Sequence, residues 1–248
     1  MPADQSAAAA LRNGISNAMA RIKREFYGKG PAQTRTYILD NVVIAILDDL
    51  LTPVEQALKA GGRGDLVRRT RLTFEDMMTR HFVGEVQRLT GARVIAYHSQ
   101  IVFEPDMAIE FFVLDRPAQA LAAPAQGNAA RPHDGELRAG IADAVVRLIH
   151  EYWGKGPTRA KVYIEDRFVF TLLEEPLTTV ERTLIDGGEA DLVRELRMAF
   201  HDLKRDDLTR EVEQVTGRRV LTSHSQVVFD PDVLFVVFVL DGSGATPG

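Results

Sequence analysis

The 248-residue chain contains no cysteine. That absence excludes disulfides, thiolate metal centres and cysteine nucleophiles together. Charge of one sign is also scarce: 30 basic against 35 acidic residues give −5, with a pI near 5.7. Nucleic-acid binders ordinarily present a strongly basic surface, so no nucleic-acid partner is expected. Long hydrophobic runs are missing as well. The longest, Val42 to Leu47 and Val233 to Leu240, fall well short of the roughly 20 residues a membrane-crossing helix needs, and they read as strands. The first residues, MPADQSAAAALRNG, lack the basic start and apolar stretch of a signal peptide. The expectation is a cytoplasmic protein with no direct membrane insertion.

What the chain does have is repetition. A shift of 126 positions (154 − 28) lays Gly28-Lys29-Gly30-Pro31 on Gly154-Lys155-Gly156-Pro157 and Leu51-Thr52 on Leu177-Thr178. The same shift carries Asp65-Leu66-Val67-Arg68 onto Asp191-Leu192-Val193-Arg194 and His98-Ser99-Gln100 onto His224-Ser225-Gln226, without a gap. This is a tandem duplication. The organisation read from it is a first repeat at 1–116, an Ala/Pro/Gly-rich linker at 117–135 and a second repeat at 136–248. The linker shows no apolar period, and as a flexible coil it reaches about 24 Å.

Within one repeat, Ile15, Ala18, Met19, Ile22 and Phe26 fall at helical spacing and recur as Ile141, Ala144, Val145, Leu148 and Tyr152. Gly28 and Gly154 end this helix. Two short strands follow, 34–39 and 42–47, turning at Asp40-Asn41. Thr52-Pro53-Val54-Glu55 and Thr178-Thr179-Val180-Glu181 are capping boxes that open a short helix, and a long helix runs from 65 to 90. Strands at 93–98 and 107–114 complete the order α-β-β-α-α-β-β. The fold class is therefore α+β, each repeat a mostly antiparallel sheet with helices on one face. The near-continuous apolar strands need cover on the second face as well, and an intramolecular pseudo-two-fold dimer supplies it at least cost.

Tyr27-Gly28-Lys29-Gly30-Pro31, Leu51-Thr52-x-x-Glu55, Gly62 to Arg68 and Thr90-Gly91-x-Arg93-Val94 together resemble the MpsC-like family, formerly a domain of unknown function. Its namesake is a component of a sodium-translocating, membrane-potential-generating system. The second copy runs through the signature from Glu151 to Lys161. The resemblance covers nearly all of 15–115 and 141–241. It implies a cytoplasmic accessory of an ion- or bicarbonate-handling membrane system, with a membrane-associated transporter as partner, and it carries over no catalytic residues.

Three pairs of residues are candidate ligand contacts. Gly28-Lys29-Gly30-Pro31 lacks the Walker spacing, and a proline stands where an amide-rich helix start is required. Lys29 and Lys155 therefore belong either to a glycine-terminated helix end or to an anion or partner contact. Arg68 and Arg194, each three residues before a second arginine (Arg71, Arg197), suit a carboxylate or phosphate clamp or ion pairs on a solvated face. His98 and His224 are the histidines shared by the two copies. Each is followed by a carboxylate pair, Glu104 and Asp106 or Asp230 and Asp232, which imidazole would meet at a strand-end loop. One histidine per copy is too few for a metal site, and Ser99 or Ser225 points away from its histidine neighbour on a strand. Neither metal nor cofactor nor catalytic residue is expected. The leading reading is a non-enzymatic interaction or regulatory module; the alternative is a small-anion or metabolite-binding protein using these lysines, arginines and histidines.

Overall fold

Helix α1 (Pro2–Tyr27) presents the predicted apolar stripe, and Gly28 ends it at φ +71, a left-handed position that a side chain would strain. Strands β1 (Gln33–Leu39) and β2 (Val42–Asp48) form a hairpin whose turn residue Asp40 has φ 55. After the capped helix α2 (Pro53–Ala60) comes α3 (Gly64–Thr90), closed by Gly91, and then β3 (Val94–Phe103) and β4 (Asp106–Leu114). The second repeat gives α4 (Asp134–Trp153), β5 (Arg159–Glu165), β6 (Phe168–Glu174), α5 (Thr179–Asp186), α6 (Ala190–Thr216), β7 (Val220–Val228) and β8 (Val233–Leu240). This computed structural model describes residues 2–118 and 134–242, so most of the linker read at 117–135 lies outside the described residues. The chain divides into two units, Met1–Gln126 and Gly127–Gly248.

Each unit holds a four-stranded antiparallel sheet, ordered β1-β2-β4-β3 in the first and β5-β6-β8-β7 in the second. The long helices lie on one face and seal the core. In the first unit Ile15, Met19, Ile22, Phe82 and Val86 meet Val43, Ala45, Leu47, Ala108 and Phe112. The opposite face of β2 and β4 carries Ile44, Ile46, Ile109 and Phe111, all buried. Burial on both faces is why these strands read as unbroken apolar runs rather than alternating ones.

The alternation of strand side chains decides which polar residues face the helices. Register pairs Ala45 with Glu110 and Glu110 with Ser99, so both polar groups join the helix-facing side of the sheet. Neighbouring His98, opposite Phe111, falls on the other side. Strand β3 runs on to Phe103, beyond the end expected at His98, because Ile101 and Val102 are buried and keep the ladder to β4 going. His98 is therefore a mid-strand residue. The β3–β4 turn lies five residues further along, about 17 Å at 3.3–3.4 Å per residue.

Candidate functional site

Lys29 and Lys155 occupy equivalent places and share one equivalent bond, to the carbonyl of Leu51 or Leu177. Lys29 Nζ donates to the Leu51 carbonyl at 2.8 Å and to Asp49 Oδ1 at 3.1 Å. Lys155 Nζ donates to the carbonyls of Glu175 and Leu177 at 2.8 and 2.6 Å. Each ammonium fastens the helix-to-strand loop to the segment that leads into the short helix. Two of its three donors are thus engaged within the unit.

The arginines separate by role. Arg68 lies over the Phe103 ring at 5.1 Å, and Arg194 lies over Phe229 at 5.1 Å while pairing with Asp191. Arg71 and Arg197, one turn further along, turn inward. Arg71 grips both carboxylate oxygens of Glu55 at 2.7 Å and the Leu50 carbonyl at 2.7 Å. Arg197 does the same to Glu181 at 2.6 and 2.7 Å and to the Pro176 carbonyl at 2.9 Å. The three-residue spacing therefore forms no clamp: one member packs on an aromatic ring and the other is buried. Glu55 also accepts from the Thr52 amide and hydroxyl at 2.8 Å, so the capping box of α2 and the bidentate pair are one network. Burial would raise the Glu55 carboxyl, but the bonds from Arg71 and Thr52 outweigh it and hold it below its ordinary value; Glu181 follows the same pattern.

His98 and His224 are not brought to their turn carboxylates. Asp106 instead accepts from the amides of Leu50 and Leu51 at 3.0 to 3.3 Å. Asp232 takes Arg182 at 2.8 Å. His224 Nε2 lies 3.1 Å from Thr222 Oγ1 on its own strand.

The most unusual chemistry lies where the sequence reading placed none. In the first unit Lys23, with no exposed surface, ion-pairs with Glu75 of α3 and, at 2.8 Å, with Glu110 of β4. Tyr97 donates to Glu110 at 2.8 Å, and the ammonium sits 5.0 Å from the Phe82 ring centre. Burial alone would lower Lys23, but Glu110 and Glu75 together reverse it and raise its pKa. Glu75 is raised by burial first and by the Glu110 charge second; Tyr97 is raised by burial and Glu110. A cavity of about 80 Å³ adjoins the cluster, with Glu75, Asp76, Thr79, Tyr97, His98 and Ser99 in its wall.

The second unit has dismantled this cluster. The shift of 126 puts Ile149 at the place of Lys23, His201 at Glu75, Val236 at Glu110 and Ser223 at Tyr97. What results is a mostly apolar, partly open pocket of about 30 Å³ walled by Ile149, Trp153, His201, Lys204 and Val236. That holds a water or two. His201 Nε2 lies 3.4 Å from Ser223 Oγ, and burial pushes its pKa down. Trp153 caps the pocket, with the Arg197 guanidinium 4.0 Å from its ring centre.

Two signals in the sequence mark the cluster. Lys23 follows Met19 by four residues and so shares the apolar stripe of the first helix. Glu110 interrupts an otherwise apolar strand. Both charges give way to apolar residues in the second copy.

Among the described residues no trio of His, Cys, Asp or Glu is arranged to hold a metal, and no helix is long and apolar enough to cross a membrane. No solved structure matches the chain. A relative, the uncharacterized protein YrhF of Bacillus subtilis (strain 168), is 25% identical over 104 residues, covering 41% of this chain and 85% of the relative. The relative is thus about one repeat long. The profile of the family described as Na+-translocating membrane potential-generating system (MpsC) matches twice, at residues 8–116 and 133–242. With both repeats matched over nearly their whole length, the chain belongs to the MpsC family as a tandem duplication of its domain.

Proposed function

We propose that the chain is a non-enzymatic accessory of a membrane ion-transport system, acting from the cytoplasmic side through a protein partner. One observation carries the non-enzymatic part. The charged residues that both repeats keep in equivalent contacts are committed to the fold: Lys29 and Lys155 to loop carbonyls, Arg71 and Arg197 to the capping glutamates. A catalytic group must reach substrate or reacting atoms; Arg71 and Arg197 are buried against their glutamates and each lysine spends two of its three donors inside the unit. The family description supplies the system, a sodium-translocating generator of membrane potential. The absence of a membrane-crossing helix among the described residues makes a protein partner the simplest means of attachment.

Flotation of the purified chain with membrane vesicles tests the attachment. The expected result is co-flotation with vesicles containing the membrane proteins of the source cell and none with protein-free vesicles of the same lipids. Equal flotation with both would overturn the protein-partner reading in favour of lipid binding. No flotation with either would overturn attachment itself.

A further inference from the structure

We propose that the cavity between α3 and β3 of the first unit binds one small monovalent cation, held by Glu75 and Ser99 with part of its water shell. The inference stands apart from the role proposed above and rests on charge, space and incompletely bonded buried oxygens within that unit.

Charge comes first. Lys23, Glu75 and Glu110 have 0, 2 and 0% of their side-chain surface exposed. One ammonium faces two carboxylates. The nearby Arg71 is already matched by Glu55, which leaves one buried negative charge without a counterion. An uncompensated buried charge is costly and is ordinarily neutralised by a proton or a cation. Two cations for two carboxylates close the balance.

The oxygens come second. Glu75 Oε1 takes the lysine, while Glu75 Oε2, fully buried, completes no hydrogen bond of normal geometry, the Ser99 hydroxyl being the polar group within its reach. Ser99 is 5% exposed and its Oγ, also buried, completes no hydrogen bond of normal geometry. Both residues line the cavity, with Thr79, the solvent-exposed Asp76 and, from the strand edge, His98 in the same wall. The carboxylate and hydroxyl oxygens of this wall are hard donors, which suit Na+ or K+ rather than a soft metal.

Space decides the rest. At about 80 Å³ the cavity takes several waters at some 10–15 Å³ each, enough for an ion that keeps part of its hydration. It is too small for an organic ligand of ordinary size. A divalent ion would overshoot a single missing charge, and no trio of carboxylates or imidazoles is assembled to hold one among the described residues. The second unit supplies a control. With Ile149, His201 and Val236 in the three charged places, it has neither the excess charge nor the carboxylate, so the chain carries one site.

Sodium-23 NMR relaxation on the purified full chain tests this. It is run at pH 8, where imidazoles are ordinarily neutral, with choline chloride holding the ionic strength constant. The expected result is saturable excess relaxation from one site per chain, displaced by K+. Glu75→Gln should abolish it, Ser99→Ala should weaken it at least threefold, and His201→Gln in the second unit should leave it unchanged. Far-UV circular dichroism verifies that each variant is folded, and Ser99→Ala decides the matter if Glu75→Gln is not. Absence of saturable relaxation would overturn the proposal and leave a retained proton to balance the cluster. Relaxation undiminished in Glu75→Gln, or Mg2+ displacing Na+ at lower concentration than K+ does, would overturn it too.

Discussion

Arg71 and Glu55 are separated by 16 residues, yet the guanidinium meets both carboxylate oxygens at 2.7 Å, and Arg197 repeats the arrangement on Glu181 at the same sequence separation. The glutamate simultaneously caps the short helix through Thr52 or Thr178. One residue thus ties the start of α2 or α5 to the middle of the long helix. Removing it leaves a buried guanidinium without its counterion.

Glu181→Ala should therefore cost about 3–5 kcal/mol, the range for breaking a buried ion pair from one side. The only tryptophan of the chain, Trp153, lies against Arg197 and Phe200 and reports on the second unit alone. Urea unfolding followed by its fluorescence measures the loss. A cost below about 1 kcal/mol would place the pair in the class of weak surface bridges.

The pH dependence of the two units should differ at His201. Burial lowers its folded-state pKa, so the unfolded chain takes up the proton more readily. The stabilisation is complete above the ordinary imidazole value of about 6.5 and is lost as pH falls below it toward the folded value. Trp153-monitored stability should decline between pH 7 and 5.5. Much of that decline should vanish in His201→Phe, and an unchanged slope in the variant would assign it to other groups.

Lys155 should act as a structural tie. Charge-assisted bonds of its kind contribute about 1.5–3 kcal/mol, so Lys155→Met should lower the unfolding free energy read from the Trp153 urea transition by an amount in that range. The anion-site reading of Lys155 makes the opposite forecast: little change in stability, with loss of stabilisation by added phosphate.

Gly217 ends α6 at φ +64 with nothing within 4 Å of where a Cβ would stand. Gly217→Ala should therefore cost about 1–2 kcal/mol through left-handed backbone strain alone. The same transition reads it. A neutral effect would mean the helix end relaxes without penalty.

The element order was legible because its signals are local: the apolar stripes, the capping boxes at Thr52 and Thr178, and the glycines that stop each helix. From sequence, strand β3 reads as ending at His98 rather than Phe103, because its edge position lets polar residues interleave with buried ones, which hides the alternation. The candidate site was far less legible. Arg68 and Arg71 look like a pair in one dimension, but the helix turns Arg71 inward to Glu55, and spacing alone does not reveal that partner. Lys23 and Glu75 are 52 residues apart, and only tertiary packing brings them together. The cluster's trace in the sequence is a difference between copies, whereas identity between copies points first to what holds the fold.

Membrane potential itself gives the most direct test of the account. Inverted vesicles from cells lacking this chain, energised in sodium medium and followed with a potential-sensitive dye, should generate a reduced potential that the purified chain restores when added to the exposed cytoplasmic face. Full potential without the chain, or a deficit that the folded chain leaves unrepaired, would contradict an accessory role in that system.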